Sequence, residues 1–471
     1  MLRFVRAVPE LLRAVPPRAV LVTTWLIAIV YAFPGYMSYD SAEQLIQLRQ
    51  HRLQDFHPPL LAAYWRAFEF FVSGPVTLLV LQTSLFVWGL YHLLRLRFAD
   101  RTAAWLAAAV MLFPPVFTPM APVWKDAQMA GFLVAGTVLA LRSTRWSRIA
   151  GVALLVLAAG IRHNGGATLP FLVFLVVSTW TARRFAVRLA IVAAALAAVF
   201  VVTTQLNRAF TDLRMFSWYR TTAMFDVTGT VCNAPPLSDA EVVELLDGVT
   251  LLEHDNLQQR YCAAWAPGKR SWYDYGGLFK WSPWHDERSA RLDAWWRLVR
   301  RFPGAYVRSR LQFAADDLGL LPGVPVWEPV AQNFAANEDQ LHKLSHNHTR
   351  SPVQNAMGGA FRWLAEDTPL YRTWIYLVLA LAVAGWAAWK RDQLVGCVVG
   401  SGLLYELSVL VLANSPDFRY GHWMITTACL GAIFAVGARR GRKGEDRPAV
   451  RQGVVFESNG GSPHGEVPFP P

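Results

Sequence analysis

LAIVAAALAAVFVVTTQ, residues 189–205, is a run of 17 residues without a single charge. Arg183, Arg184 and Arg188 come directly before it. A helix of about 17–25 mostly apolar residues is long enough to cross the hydrocarbon layer of a bilayer. The run is continuous and does not alternate with polar residues, so it predicts a membrane helix and not a strand of a β-barrel.

The composition of the whole chain agrees with this stretch. Of its 471 residues, 54% are hydrophobic and only 17% are charged, and the mean hydropathy is +0.26. The net charge of +12 does not indicate nucleic-acid binding, because residues 206–369 hold 17 basic and 19 acidic residues. The basic excess lies instead in short segments between apolar runs, as expected for cytoplasmic loops. We therefore expect the lipid bilayer, and no nucleic acid, as a partner.

Applying the same criteria along the chain predicts an all-α polytopic membrane protein with about ten transmembrane helices. Their predicted positions are 19–37, 75–94, 102–118, 127–141, 149–160, 167–180, 189–205, 372–389, 394–412 and 421–438. With this count every basic cluster falls on one side, which places both termini in the cytoplasm. Residues 60–72 contain Arg66 and Glu69 and are predicted to form a juxtamembrane helix.

Four regions follow from these spans. Residues 1–205 form an N-terminal transmembrane module with an acidic first outer loop. Residues 206–371 form a mainly helical extracytoplasmic domain, and residues 372–438 form the C-terminal transmembrane helices. Residues 439–471 are rich in Gly, Pro and charge, and they predict a disordered cytoplasmic tail. In the outer domain, Leu292, Trp295, Trp296 and Val299 share one face of a basic amphipathic helix that suits the membrane surface.

The first outer loop carries the candidate catalytic residues Asp40, Glu43, Asp55 and His57. Asp40 follows the first span directly, where a helix dipole opposes a carboxylate, so its presence there favours a functional role. Asp55 and His57 flank one residue, and in an extended chain their side chains point to the same side. Pro58 and Pro59 stiffen that segment. A polar loop that merely caps a helix bundle is the alternative interpretation.

Other outer loops bring cations and polar groups to the same face. Lys125 and Asp126 occupy one short turn, and Arg162 opposes the trend that places basic residues inside. The candidate substrate-binding residues are Lys125, Asp126, Arg162, His163, Asn164, Arg419 and Tyr420. A lysine acts as a point charge for phosphate, and arginine adds a planar fork of donors. Structural roles at helix ends are the alternative for each of them.

Several other polar residues have less defined roles. Glu406 lies within a predicted span, where an acid is a functional candidate by default, and a structural hydrogen bond is the alternative. His342, His346 and His348 lack an obvious fourth ligand, so no metal site is predicted from them. Cys232 and Cys262 are the two cysteines of the outer domain, and a disulfide between them is plausible outside the cytoplasm. Whether they pair is left open by the sequence.

The segment Asp55-Phe56-His57-Pro58-Pro59-Leu60 resembles the Asp-x-His-Pro-Pro-Leu element of the protein O-mannosyltransferases and their bacterial relatives. The resemblance implies the C-type glycosyltransferase (GT-C) fold. It also implies an inverting transfer from a polyprenyl-phosphate sugar, a first-loop acid as base, and basic side chains that hold the lipid phosphate. Asp40 matches the acid, whereas the family often has an adjacent Asp–Glu pair. Here Ser41 follows Asp40, so Asp40 and Glu43 both remain candidates for the base.

These observations predict a glycosyltransferase with its active site on the outer face of a bacterial plasma membrane, serving the cell envelope. The donor is a polyprenyl-phosphate-linked sugar, and the acceptor is a glycan, a lipid or a protein. No cofactor is required by the residues, although a divalent metal is compatible with the chemistry. The alternatives are a lipid-linked saccharide transporter or flippase and a non-catalytic envelope-assembly protein.

Overall fold

The structure is a computed structural model that describes residues 15–181, 183–214, 217–252, 254–271, 278–279, 289–321, 344 and 349–440. The predicted tail from residue 441 onward lies outside the described residues. So does the histidine cluster at positions 342–348.

Helices account for almost all of the regular structure, and the described residues contain no β-strand beyond isolated bridges. The α-helices are α1 (Pro17–Ala32), α2 (Tyr39–Arg49), α3 (Leu60–Glu69), α4 (Val76–Leu94), α5 (Asp100–Leu112), α6 (Pro114–Met120), α7 (Lys125–Leu141), α8 (Arg145–Gly160), α9 (Leu169–Trp180), α10 (Phe185–Phe210), α11 (Ser217–Asn233), α12 (Asp239–Leu245), α13 (Leu257–Ala264), α14 (Ala290–Arg301), α15 (Pro303–Asp317), α16 (Pro352–Asp367), α17 (Thr373–Lys390), α18 (Gln393–Leu412) and α19 (His422–Arg440). Short 3-10 turns at Gly165–Thr168 and Phe418–Gly421 precede α9 and α19.

Within the described ranges, five helical segments are long and apolar enough to cross a membrane, and six if a bent pair counts as one span. The five are Val76–Leu94, Phe185–Phe210, Thr373–Lys390, Gln393–Leu412 and Phe418–Gly437. Shorter apolar helices occur at Pro17–Ala32 and Gly165–Trp180. The membrane-protein class is thus supported, whereas the count of ten spans, the orientation of the loops and the GT-C fold remain predictions.

Two of the predicted spans have different boundaries in the structure. The first apolar helix ends at Ala32, and the chain turns at Gly35, which has a φ of +130°. The predicted span 102–118 is broken between α5 and α6, whose axes differ by 72°. Pro114 begins α6 and Pro115 follows it, so neither residue supplies the backbone N–H that would be needed to continue α5. The apolar run there is two helices and not one.

The helix bundle packs closely where small residues face each other. A Cβ on Gly89 of α4 would lie 2.8 Å from the backbone nitrogen of Ala135 in α7, so only glycine fits at this contact. In the same interface Gln128 donates a hydrogen bond to Gln82 at 2.7 Å. Both amides are buried, and their mutual hydrogen bond offsets the cost of removing them from water.

The predicted outer domain, residues 206–371, divides between two hydrophobic cores. Residues of α11 to α15 build a core of their own around Phe225, Tyr261 and Phe313. Helix α16 belongs to the bundle, because its Gln354 donates hydrogen bonds to the carbonyl oxygens of Tyr31 and Phe33. Helix α10 also continues to Phe210, beyond the predicted boundary at residue 205.

The basic amphipathic helix is α14, and its apolar face is only partly available to a membrane. Ala294 and Leu298 are buried against the outer-domain core, and the Trp295 indole donates a hydrogen bond to Asp226 of α11. Leu292 and Trp296 are exposed. The helix is therefore part of the domain's packing, and its contact with a bilayer surface remains a prediction.

Candidate functional site

Two hydrogen bonds bring the segment after α1 to the start of α7. The Val123 N–H donates to the Tyr36 carbonyl at 2.8 Å, and the Ser41 hydroxyl donates to the Val123 carbonyl at 2.6 Å. Val123 is two residues before Lys125, and Ser41 is next to Asp40. The pairing therefore fixes the first-loop acid beside the cation of a different outer loop.

Asp40 lies in the first turn of α2, not at the end of the first apolar helix as the sequence predicted. The positive end of the α2 dipole therefore favours its carboxylate. The side chain is buried, and its oxygens lie 2.9 Å from Arg419 Nη2, 3.5 Å from Lys125 Nζ and 3.6 Å from His57 Nε2. Burial opposes its ionisation, but the charges of Lys125 and Arg419 hold the pKa of Asp40 well below its usual range. Asp40 is therefore an ionised carboxylate.

Lys125 and His57 form the second contact of the site. The Lys125 ammonium donates to His57 Nδ1 at 2.7 Å, which requires that this nitrogen be unprotonated. Burial, followed by the charge of Lys125, lowers the pKa of His57 well below its usual value, so the ring is neutral. Burial lowers the pKa of Lys125 to about 8 although Asp40 opposes this change. At neutral pH Lys125 is a buried cation.

Arg162 is held by Asp126 and by aromatic rings. Its guanidinium pairs with the buried Asp126 carboxylate, and its central carbon lies 4.6 Å from the ring centroid of Tyr420. The Tyr405 ring lies 5.8 Å away on α18. These contacts orient the guanidinium, because an arginine stacked on a ring and paired with a carboxylate has few other rotamers.

The neighbours of Arg162 also have defined contacts. His163 Nε2 lies 3.1 Å from the Phe56 carbonyl oxygen. Asn164 donates to the Ser408 hydroxyl at 3.0 Å. A Cβ on Gly165 would lie 2.7 Å from the carbonyl oxygen of Ala158, whereas one on Gly166 would meet open space. A close approach to the backbone of α8 therefore occurs at Gly165 and not at Gly166.

A cavity of about 160 Å³, the first cavity, collects most of these side chains. Among the predicted site residues, the ones that line it are Asp40, His57, Lys125, Arg162, His163, Asn164 and Tyr420. The sequence assigned these residues to four separate loops, and the structure brings them together. The first cavity is thus lined by an ionised carboxylate and by two cations, one of which, Lys125, lies 3.5 Å from that carboxylate.

Four predicted residues lie elsewhere. Arg419 and Asp126 do not line the first cavity. Arg419 contacts Asp40, and Asp126 contacts Arg162. Glu43 accepts a hydrogen bond from Gln47 at 3.1 Å and lines neither cavity. Asp55 lines a different cavity from His57, because residues 55–57 form a bend and not the extended segment expected. The predicted extended conformation of this segment is therefore wrong, and the two side chains line different cavities.

The second cavity is a larger groove of about 620 Å³ beside α10. Pro58, Arg162 and His163 line both cavities, so the two spaces meet at these residues. The groove has an apolar portion formed by Leu169, Pro170, Leu196, Val199 and Phe200. Its polar portion includes Asp55, Arg162, Asn207, Arg208 and Arg214. Only 6% of the most apolar window of α10 is buried, so this helix leaves most of its surface for lipid.

Sequence reasoning missed part of the first cavity. It is also lined by Thr221 and Thr222 of α11, by Leu412 at the end of α18, and by Ala413 and Asn414, which follow that helix. The two threonines belong to no recognisable motif. They lie in the predicted outer domain, which nothing in the sequence places beside the short outer loops. Asn414 begins a predicted outer turn, and its position beside Asp417 and Arg419 was the one available signal. Over the described ranges, no group of three or more His, Cys, Asp or Glu side chains is arranged to hold a metal ion.

Comparisons with protein-family models, with curated proteins and with solved structures give no match to this chain. The resemblance of residues 55–60 to a glycosyltransferase element therefore stays a prediction.

Proposed function

We propose that the protein is an inverting membrane glycosyltransferase that moves a sugar from a polyprenyl-phosphate donor to an acceptor hydroxyl on the outer face of the plasma membrane. One observation carries the proposal. An ionised carboxylate, Asp40, and two buried cations, Lys125 and Arg162, line a single small cavity that adjoins an apolar groove. This reaction requires a base, an anion-binding site and a lipid-binding site.

The reaction distributes charge in a way that matches these groups. The acceptor oxygen forms a bond to the anomeric carbon while the bond from that carbon to the phosphate oxygen breaks. The bonding electrons leave with the polyprenyl phosphate, and the acceptor proton passes to Asp40. Lys125 and Arg162 stabilise the charge that grows on the phosphate, since preorganised donors in a buried site cost no reorganisation.

The low pKa of Asp40 makes it a weak base until the donor is present. The donor phosphate is a diester with one negative charge. When that charge lies near Lys125 and Arg162, it offsets part of their field at Asp40 and raises the pKa of the carboxyl. Proton transfer to Asp40 then occurs late in the reaction, because the acceptor hydroxyl becomes strongly acidic only as its bond to the sugar forms. Donor binding would therefore activate the base.

The second cavity suits the lipid part of the donor. Leu169, Leu196, Val199 and Phe200 offer an apolar surface, and Arg162 marks the boundary with the first cavity. A phosphate at Arg162 would place the isoprenoid chain beside α10 and the sugar toward Asp40. The isoprenoid chain comes from the bilayer and not from water, so packing against the groove, and not a hydrophobic driving force, would hold it there. Arg208 and Arg214 add positive charge to the same groove.

The decisive experiment measures sugar transfer by the purified full-length protein in liposomes. Polyprenyl-phosphate mannose, glucose and arabinose serve as donors, and an extract of envelope glycans, lipids and proteins serves as the acceptor pool. Asp40→Asn is compared with Glu43→Gln, a matched control because Glu43 lies on the same helix but lines neither cavity. We expect Asp40→Asn to lose about a hundredfold or more in rate, as for removal of a general base. Glu43→Gln should stay within about threefold.

Three results would contradict the proposal. Transfer by Asp40→Asn at the unaltered rate removes Asp40 as the base. An equal loss in Glu43→Gln indicates that the effect of Asp40 is not specific. If the liposomes move the lipid-linked sugar across the bilayer without transferring it, the protein is a flippase and not a transferase. Addition of a chelator to the same assay tests the need for a divalent metal.

A further inference from the structure

The wall of the first cavity that faces the outer domain differs in chemistry from the wall that faces the bundle. The bundle side, which we call the floor, consists of Asp40, His57, Lys125, Arg162 and His163. The opposite side, which we call the roof, combines Thr221 and Thr222 of α11 with Leu412 at the end of α18 and with Ala413 and Asn414, which follow it. The floor is charged. The roof has no ionisable side chain and offers hydroxyl, amide and backbone groups.

The two halves of the roof are joined to each other. The Thr222 hydroxyl lies within 3.5 Å of the Leu412 carbonyl oxygen, to which it donates. Asp226 lies one helical turn after Thr222 on α11, and its carboxylate is 2.6 Å from Arg310 Nη2. Arg310 Nη1 donates to the Ala413 carbonyl at 2.7 Å. Arg310 of α15 therefore links α11 to the 412–414 segment, and its position sets the distance between the two halves of the roof.

Other contacts fix Arg310 itself. Its central carbon lies 5.3 Å from the ring centroid of Phe225 and 5.7 Å from that of Phe313. The Trp295 indole donates to the second oxygen of Asp226 at 3.0 Å. The Arg310–Asp226 pair is thus enclosed by the outer-domain core. Because this pair is rigid, the position of the roof of the first cavity depends on the position of the outer domain.

We infer that the roof binds the acceptor. The group bound there is a neutral, hydroxyl-bearing unit such as a single sugar residue. Arg310 is a positioning residue that holds the roof in place for this group. The inference rests on the proposed function. The floor cations are assigned to the donor phosphate, which leaves the roof for the acceptor. Threonine hydroxyls and an asparagine amide donate to and accept from sugar hydroxyls.

Charge and size both favour a small neutral acceptor group. With the donor bound, the charges of Lys125 and Arg162 are matched by the Asp40 carboxylate and the donor phosphate, so no cation that lines the first cavity is left to pair with an anionic acceptor, and burying an unpaired charge is costly. The volume of about 160 Å³ is below the roughly 300–1,000 Å³ of pockets for drug-sized ligands. One terminal unit of an acceptor enters, and the remainder stays outside.

The first test does not depend on catalysis. A methyl hexoside that carries a small photoreactive diazirine is bound to the unaltered protein in liposomes, and a hexuronate with the same diazirine is the charged comparator. After irradiation, the labelled peptides are identified by mass spectrometry. We expect the neutral probe to label peptides from α11 and from the 409–420 region, and the hexuronate to label them at least fivefold less. Equal labelling by both probes, or labelling elsewhere only, would overturn the inference.

The second test uses kinetics and separates the roof from the floor. Hydrolysis of the donor by water needs only the floor, whereas transfer to the hexoside needs both. Thr222→Val keeps the shape and removes the hydroxyl, and it should raise the acceptor KM about three- to tenfold. Donor KM and donor hydrolysis should stay within twofold. Thr230→Val is a matched control, because Thr230 lies on the same helix and its hydroxyl donates to the Asp226 carbonyl instead of lining the cavity.

Arg310 is tested by charge-balanced variants. Arg310→Met leaves Asp226 without its cation and risks misfolding, so it is compared with the double variant Asp226→Asn/Arg310→Met. We expect the double variant to fold, to raise the acceptor KM at least tenfold and to leave donor hydrolysis within threefold. Arg310→Lys should restore part of the acceptor affinity. Arg308→Lys is the control, because Arg308 is exposed on the same helix.

The outcomes separate the two proposals. Labelling of the roof by the hexoside without any sugar transfer would contradict the proposed transferase and leave a sugar-binding roof. Transfer that depends on Asp40 but not on Thr222 or Arg310 would contradict the roof assignment and leave the transferase. A parallel loss of donor hydrolysis and acceptor affinity in the Arg310 variants would assign Arg310 a structural role only.

Discussion

The guanidinium of Arg419 lies 2.9 Å from the Asp40 carboxylate, although 379 positions separate the two residues in the chain. The same guanidinium lies 2.6 Å from the Asp417 carboxylate and 4.9 Å from the ring centroid of Trp124. Arg419 does not line the first cavity. An arginine that the sequence suggested as a phosphate ligand is therefore placed to hold the carboxylate instead. The C-terminal helices and the first outer loop form one site through this contact.

Replacement of Arg419 by Met should destabilise the protein and impair the site together. Two buried carboxylates, Asp40 and Asp417, would lose a cation, and breaking a buried ion pair by removing one partner costs about 3–5 kcal/mol. We expect a clear fall in the thermal midpoint of unfolding in detergent and loss of transfer. Arg49→Met is the control, because Arg49 makes a less buried pair with Glu69. An unchanged midpoint in Arg419→Met would contradict this role.

Asp126 should affect donor binding only through Arg162. The Asp126 carboxylate pairs with the Arg162 guanidinium but does not line the first cavity. Asp126→Asn removes the charge that orients the guanidinium, and we expect the donor KM to rise about tenfold. Arg162→Ala should cost more than this. In the double variant, Asp126→Asn should add little, because its partner is already absent. Additive losses in a double-mutant cycle would show that Asp126 acts independently of Arg162.

The pH dependence of the reaction should report the charge of Lys125. Its pKa of about 8 lies above neutral, so the ammonium is present below pH 8 and is lost as the pH rises through that value. The value of kcat/KM for the donor should therefore be constant at neutral pH and fall above about pH 8, since this parameter reports the free enzyme. Because the pKa of Asp40 is strongly lowered, its protonation should not reduce kcat/KM near neutral pH.

Lys125→Arg distinguishes this assignment from other causes of an alkaline decline. An arginine stays protonated throughout the accessible range. The variant is expected to have a lower rate, because the guanidinium cannot reproduce the 2.7 Å contact with His57, but its profile should remain flat to about pH 10. A decline at the same pH in both proteins would assign the titration to another group.

The sequence grouped the candidate residues because hydropathy and loop charge predict which loops share a face. Lys125, Arg162 and His163 were grouped with Asp40 on that basis alone, and the structure places all four around the first cavity. The pairing of Tyr36 with Val123, which makes this possible, is a contact between backbone groups and has no side-chain signature. The shape of the loop was predicted less well, because the bend at residues 55–57 separates Asp55 from His57.

Two errors of prediction have local physical causes. Asp40 was taken for the end of the first span, although Ser38 followed by an acid at the second helical position is a common start of a helix. The predicted span 102–118 was treated as one helix in spite of Pro114 and Pro115. The roof residues Thr221 and Thr222 were not predictable, since the docking of the outer domain depends on long-range contacts such as Arg310 with Ala413.

The disulfide between Cys232 and Cys262 should hold the far end of α11 in place. Cys232 is near the end of that helix and Cys262 is in α13, 30 positions further along the chain. In the chain-entropy account, closing a loop of this length stabilises the fold by about 3–4 kcal/mol. We expect a maleimide to modify two of the four cysteines, Cys397 and Cys429, in protein unfolded without reductant.

Removal of this disulfide tests whether α11 carries the roof of the first cavity. The double variant Cys232→Ser/Cys262→Ser should lower the thermal midpoint of unfolding, and Cys429→Ser is the control because Cys429 is not bonded. At a temperature where the variant is still folded, a looser α11 should weaken acceptor binding more than donor hydrolysis. This follows because Thr221 and Thr222 belong to the same helix as Cys232. Modification of all four thiols without reductant would contradict the pairing, and equal loss of both activities would contradict the link to the roof.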